Sequence, residues 1–185
     1  MTDSNARFGL TFDDGPSPAY TPALLDTLDR HGAKATFYAI GRNLELFPEV
    51  AREIISRGHQ LGNHSHMHRG FAKLTVAQQL EELERTNELL CALTGNTHFK
   101  FRPPRGQLPP QLLLALGKRR QPIQMWTFDS RDYLKDANLV FDRFRQRHPR
   151  AGDVLLFHDD GPVAAQVLDE LLPVWNLSGL SPVPA

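Results

Sequence analysis

The spacing of apolar residues divides this chain into short extended runs and longer helical ones. From Arg7 to Asp13, Phe8, Leu10 and Phe12 alternate with Gly9, Thr11 and Asp13, the period of two expected of a strand. Ala35 to Ile40, Gln60 to Asn63, Phe99 to Arg102, Ile123 to Phe128 and Val154 to Phe157 read as further strands. Between them the spacing predicts helices over Thr21 to His31, Phe47 to Ser56, Gln111 to Arg119, Leu139 to Arg147 and Val163 to Leu172. The clearest helix is Val76 to Leu93, apolar at 76, 80, 83, 90 and 93 among Gln and Glu, with Thr94-Gly95 as its stop. This βα alternation predicts an α/β fold with a mostly parallel sheet, closed or partly closed, and a ring of helices.

At 185 residues, 41% hydrophobic and 23% charged, the chain fits a single domain over 1–185 with an ordinary core. Lys plus Arg and Asp plus Glu balance at 21 each, so no basic field exists to attract nucleic acid or anionic lipid. No apolar run approaches the roughly 20 residues that span a bilayer, and MTDSNARFGL lacks a charged-then-apolar leader pattern. A cytoplasmic protein without membrane partners is the expectation. The lone Cys91 excludes an internal disulfide, which suits a reducing compartment.

The reactive side chains collect at the ends of the expected strands. Asp13 and Asp14 close the first run and the histidine cluster follows the third; Arg102 ends the run near 100, Asp129 and Asp132 follow the next, and His158 ends the last. In parallel β/α folds the C-terminal strand ends share the face on which active sites are built, so these groups are expected to converge. His64 and His68, four apart, project to the same side on a helical turn or an extended segment, whereas His66 joins them only on an extended one. Two imidazoles and a carboxylate form a common zinc set that leaves a position open for water, and Asp14 is the natural third ligand.

Thr11-Phe12-Asp13-Asp14-Gly15-Pro16, His64-Ser65-x-x-His68, Arg102-x-Pro104, Asp129-x-x-Asp132 and Leu156-x-His158 resemble, in that order, the five motifs of the NodB-like polysaccharide deacetylases. The resemblance covers nearly the whole chain. It implies a distorted (β/α) barrel of about seven mostly parallel strands, seven or incompletely closed because the ending Trp175 to Ala185 is short. It also implies metal-dependent removal of acyl groups, here N-acetyl, from an amino-sugar-containing oligo- or polysaccharide. Position by position, it makes Asp13 the general base, Asp14, His64 and His68 the ligands of a divalent metal, usually Zn2+, and His158 the general acid. Arg102 matches the arginine that positions the base. Asp132 matches the carboxylate that orients either Arg102 or the acid histidine, and Leu156 the residue packed against the acyl methyl.

Two positions depart from that pattern. Arg105 stands where an aromatic residue is usual; its backbone N–H remains available for an oxyanion, while its side chain puts a cation at the rim, suited to a substrate carboxylate, phosphate or sulfate. The alternative is that Arg105 pairs with a local carboxylate such as Asp132 or points to solvent. Tyr133 replaces a common Trp and keeps an aromatic wall for substrate. Trp126 lies close enough to join that wall, though buried packing is the expectation for a lone Trp on a strand, and Asp159 and Asp160 either support the site or are solvated. Two other functions fit less well: an amidohydrolase of a small non-sugar amide, and a degenerate sugar-binding module, which would need neither Asp13 nor His158.

Overall fold

A computed structural model describes residues 6–185; residues 1–5, part of the stretch read above for a leader, lie outside the described residues. The alternating N-terminal run becomes β1 (Ala6–Asp13), paired in parallel with β2 (Thr36–Ala39) on one side and β5 (Val154–His158) on the other. Their registers align Thr36, Thr11 and Leu156 in one row, Phe37, Phe12 and Phe157 in the next, and Tyr38, Asp13 and His158 in the third. Because alternate rows face opposite sides of a sheet, the phenylalanine row goes to the helices and its two neighbours go inward. Burial on both faces explains why residues 8–13 of β1 are all inaccessible.

The sheet runs β3-β2-β1-β5-β4, with β3 at Gln60–Asn63, β4 at Phe128–Asp129, and β6 (Leu180–Val183) on the first half of β1. From β3 the round continues only through single bridges, Asn63 to Phe101 and Phe101 to Ile123, and the chain from Ile123 leads into β4. The expected strands over 99–102 and 123–128 are therefore reduced to these bridges and the short β4. Pro103, Pro104 and Pro122 supply no ladder donors beside them. The carbonyls of Gln124 and Met125, moreover, face the guanidinium of Arg102. The result is the parallel α/β sheet expected, with six strands and a distorted circuit.

The helices are α1 (Thr21–Arg30), α2 (Gly41–Leu46), α3 (Pro48–Ser56), α4 (Val76–Thr94), α5 (Pro110–Lys118), α6 (Ala137–Gln146) and α7 (Val163–Leu177). α4 has the strongest local signals: Thr75 and Gln78 form a reciprocal capping box and Gly95 ends the helix at φ 73°. α2 was not expected from the sequence, being six residues long with little room for periodicity. β6 was not expected either, since Pro182 lies within it. No described helix is long and apolar enough to cross a membrane.

The main core lies between the outward rows of the sheet and the helices, with α7 at its centre. Trp175 is buried, meets Phe8 edge-on at 5.4 Å and lies 5.1 Å from Phe144, which stacks on Phe157 at 5.7 Å. A smaller cluster of Phe71, Leu83, Phe101, Leu112 and Leu116 packs α4 and α5 against the bridged segment. Truncating the indole would remove contacts on several elements at once. Trp175→Ala is expected to cost about 3–5 kcal/mol in urea unfolding; a loss below about 1 kcal/mol would show that this cluster does not hold the helices to the sheet.

Candidate active site

The inward rows end in a cleft of about 430 Å³ lined by Asp13, Asp14, His64, His68, Arg105, Trp126, Asp129, Tyr133, Leu156 and His158. Of the strand-end groups expected to converge, Asp13, Asp14, His64, His68, Asp129 and His158 line it, Arg102 and Asp132 stand directly behind it, and His66 is left out. At the bottom lies Arg102, 0% exposed, inside the barrel. Its Nη1 donates to Asp13 Oδ1 and Thr11 Oγ1, each at 2.8 Å, and its Nε donates to Gln124 O at 3.0 Å. Tyr38 covers one face of the guanidinium at 4.1 Å. Asp13, only 3% exposed, is thereby anchored through one oxygen, while Oδ2 lies 3.6 Å from His64 Nε2.

Asp14, at φ 80°, turns its carboxylate toward the histidines: Oδ1 is 3.4 Å from His64 Nε2 and 3.2 Å from His68 Nε2. That oxygen is buried without a satisfactory hydrogen bond. Donor atoms sharing a tetrahedral ion at about 2.0–2.1 Å stand roughly 3.3–3.4 Å apart, so this set fits a small divalent cation, and the orphaned oxygen is what such an ion would satisfy. Among the described residues, these three are the group whose ligand atoms gather in this way, all within 4.8 Å of one another. His66 is not among them; its Nε2 faces Glu45 at 3.7 Å, on the other side of the turn.

His64 Nδ1 lies 2.8 Å from the carbonyl of Arg102, an acceptor that fixes the proton on Nδ1 and leaves the Nε2 lone pair for a metal. Ser65 (φ 66°) and His68 (φ 51°) take left-handed backbone conformations, and Ser65 Oγ accepts the His68 N–H at 3.1 Å. The electrostatics match a cation site. Burial works to raise the pKa of Asp14, but the adjacent His64 and the positive charges that His64, His68 and His158 can carry hold it down at about 2. Burial keeps His68 below the ordinary imidazole range, while at His64 it is outweighed by the Asp13 and Asp14 carboxylates, which raise the pKa.

On the opposite wall, Asp132 is committed to His158: Oδ1 meets His158 Nδ1 at 2.8 Å and Oδ2 accepts the His158 N–H at 2.8 Å, with Ser130 Oγ also donating to Oδ1. Of the two partners left open by the sequence, Asp132 therefore orients the histidine and not Arg102. These contacts also leave it unpaired with Arg105, whose side chain has no carboxylate partner among the described residues. Burial disfavours charge on His158, yet the bond and attraction of Asp132, aided by Asp13 and Asp14, push it up to about 9. Tyr133, 48% exposed, stands edge-on to His158 at 5.3 Å. Leu156, on the same face of β5 as His158, lines the cleft floor.

One expectation needs correction and another is resolved. Trp126 is a partly exposed cleft wall and not buried packing, because the segment holding it is not a regular strand. Asp159 is 1% exposed and packed behind the site, while Asp160 is exposed; burial pushes Asp159 up to about 7 against a hydrogen bond from Thr21. Asp129, read from the sequence only as part of a motif, also lines the cleft and accepts the Arg131 N–H at 2.8 Å.

Comparisons with known proteins find relatives over most of the chain. The family model for polysaccharide deacetylase matches residues 2–120. A peptidoglycan-N-acetylglucosamine deacetylase of Bacillus cereus is 35% identical over 182 residues, covering 95% of this chain and 66% of its own length. Peptidoglycan-N-acetylglucosamine deacetylase PgdA of Listeria monocytogenes is 33% identical over 177 residues, covering 95% of this chain and 37% of its own. The solved structure of peptidoglycan deacetylase PdaC from Bacillus subtilis superposes with a TM-score of 0.90 at 26% identity, covering 100% of this chain and 90% of that one. This chain thus spans about two thirds of the first relative and little more than a third of the second. By the extent of the family match and the level of identity to these relatives, the chain belongs to the polysaccharide deacetylase family.

Proposed function

We propose that this chain is a zinc-dependent hydrolase that removes N-acetyl groups from an amino-sugar-containing oligo- or polysaccharide. The observation that carries the reading is the meeting, in one cleft, of the Asp14, His64 and His68 set with an anchored carboxylate, Asp13, and an imidazole held by Asp132, His158. A site for binding alone has no use for the last two. The names of the relatives make the N-acetylglucosamine units of peptidoglycan the first substrates to test.

Two imidazoles and one carboxylate are a donor set typical of catalytic zinc. When bound, the ion supplies Lewis acidity, bringing the pKa of water toward neutrality and polarising an amide oxygen. The chain's own residues do the rest. Arg102 fixes Asp13 through Oδ1, so that Oδ2 takes a proton from the attacking water. The backbone N–H of Arg105 is assigned to the developing oxyanion. His158, held in orientation by Asp132, gives its proton to the leaving amine. Leu156 receives the acetyl methyl, Tyr133 and Trp126 form apolar walls for the sugar, and the Arg105 guanidinium at the rim suits an anionic group near the scissile amide.

Zinc titration combined with acetate release from acetylated amino-sugar oligomers tests this reading. Wild type is expected to bind about one zinc per chain and to lose turnover on chelation, and Asp14→Ala to lose both metal and turnover. Asp13→Asn should keep zinc while its rate falls by about 10²–10⁴-fold. Turnover that survives chelation, or an Asp13→Asn protein with wild-type rate, would overturn the assignment.

The pH profile tests the acid separately. With its pKa pushed up to about 9, His158 is protonated through the neutral range, and activity is expected to fall as pH rises through that value. Asp132→Asn removes the neighbour most responsible for the rise, so the alkaline limb should move down toward the ordinary imidazole value of about 6.5. An alkaline limb unchanged in Asp132→Asn would assign it to another group.

A further inference from the structure

The mechanism leaves unused one buried carboxylate beside the site, Asp159. It follows His158 at the end of β5, and its N–H continues the pairing with β1 by donating to Asp13 O at 3.1 Å. Its side chain passes behind the turn that carries Asp14. Oδ2 accepts the hydroxyl of Thr21 at 2.7 Å, and Thr21 Oγ1 in turn accepts the Ser17 N–H at 2.8 Å. The two bonds tie the far end of the Asp13–Ser17 turn to β5. Both side chains are almost wholly inaccessible.

The fit between carboxylate and turn is close. A Cβ on Gly15 would lie 1.9 Å from Asp159 Oδ2, so only glycine lets the turn rest on this group. From the other side, Asn43 Nδ2 donates to Asp14 O at 2.9 Å and the Ile40 N–H donates to Gly15 O at 2.9 Å. Asp14 is thus clamped on two sides while it holds φ 80°, a left-handed conformation that persists only where its surroundings over-determine it. The conformation matters because it directs Oδ1 to within 3.4 Å of both ligand imidazoles.

We propose that Asp159 is a positioning residue for the metal site: bonded to Thr21 and packed on Gly15, it holds the Asp13–Pro16 turn in the geometry that aims Asp14 at His64 and His68. The inference rests on the reading of Asp14, His64 and His68 as a zinc set. The Asp159 side chain bonds neither those ligands nor Asp13, which it meets only through the backbone N–H that any residue here would supply, so the effect of the side chain is on metal affinity rather than on the chemistry.

The test is zinc affinity of the intact chain, measured by competition with a chromophoric chelator and without sugar substrate. Asp159→Ala and Thr21→Val are each expected to weaken zinc binding by roughly 10-fold or more, the scale seen when support of a ligand is lost, and Thr21→Ser, which restores the hydroxyl, to recover most of it. Leu168→Ala, in the core on α7, sets the control: it lowers Tm and should leave zinc affinity unchanged. If Asp159→Ala does not fold, the Thr21 pair decides. Wild-type affinity in Thr21→Val, or an equal loss in Leu168→Ala, would overturn the positioning role. A wild-type chain that binds no zinc would instead overturn the metal site itself.

Discussion

A guanidinium sealed inside a barrel needs partners for its charge and its donors, and Arg102 meets that demand by gathering the site around itself. Its charge is matched by Asp13, its remaining donors by Thr11 and the Gln124 and Met125 carbonyls, and its face by Tyr38. Its own carbonyl fixes the His64 tautomer, and its N–H donates to Asn63 O, setting the bridge on which the circuit of the sheet depends. Removing either member of a buried pair strands the other charge, a loss on the order of 3–5 kcal/mol. The general base is therefore also part of the interior framework, and its aim is as rigid as the barrel.

The metal set is built differently. Asp14, Ser65 and His68 lie on turns beyond the C-terminal ends of β1 and β3, all with positive φ, and each turn is tied down by side chains: Asn43 and the Asp159–Thr21 pair for the first, Asn63 and Ser65 for the second. Strained residues of this kind persist where the surroundings leave them no alternative. The cleft thus joins a base and an acid on strands, which give precise direction, to ligands on turns, which let groups from distant parts of the sequence approach one another.

The legible parts of the sequence were those governed by a simple period or a specific motif. The parity of β1 separates Phe8, Leu10 and Phe12 from Thr11 and Asp13, and the register carries that division across β2 and β5 to Leu156 and His158. The histidine spacing separated His64 and His68 from His66 as well. The bridged segments were misread because their apolar residues look strand-like while three prolines and the needs of Arg102 remove their ladder bonds. Trp126 was misplaced with them. Whether Asp132 serves Arg102 or His158 is a matter of a few ångströms in three dimensions, and Asp159 carried no signal beyond lying next to a motif histidine.

A double-mutant cycle on Arg102 and Asp13, read as unfolding free energy near pH 7, tests most directly whether this interior pair organises the rest. Arg102→Met alone leaves Asp13 charged in a dry interior and is predicted to cost about 3–5 kcal/mol. Adding Asp13→Asn removes that stranded charge, so the double variant is predicted to be more stable than Arg102→Met, with a coupling above about 1 kcal/mol. Losses that simply add would contradict the account, since two groups that hold each other in place cannot contribute independently.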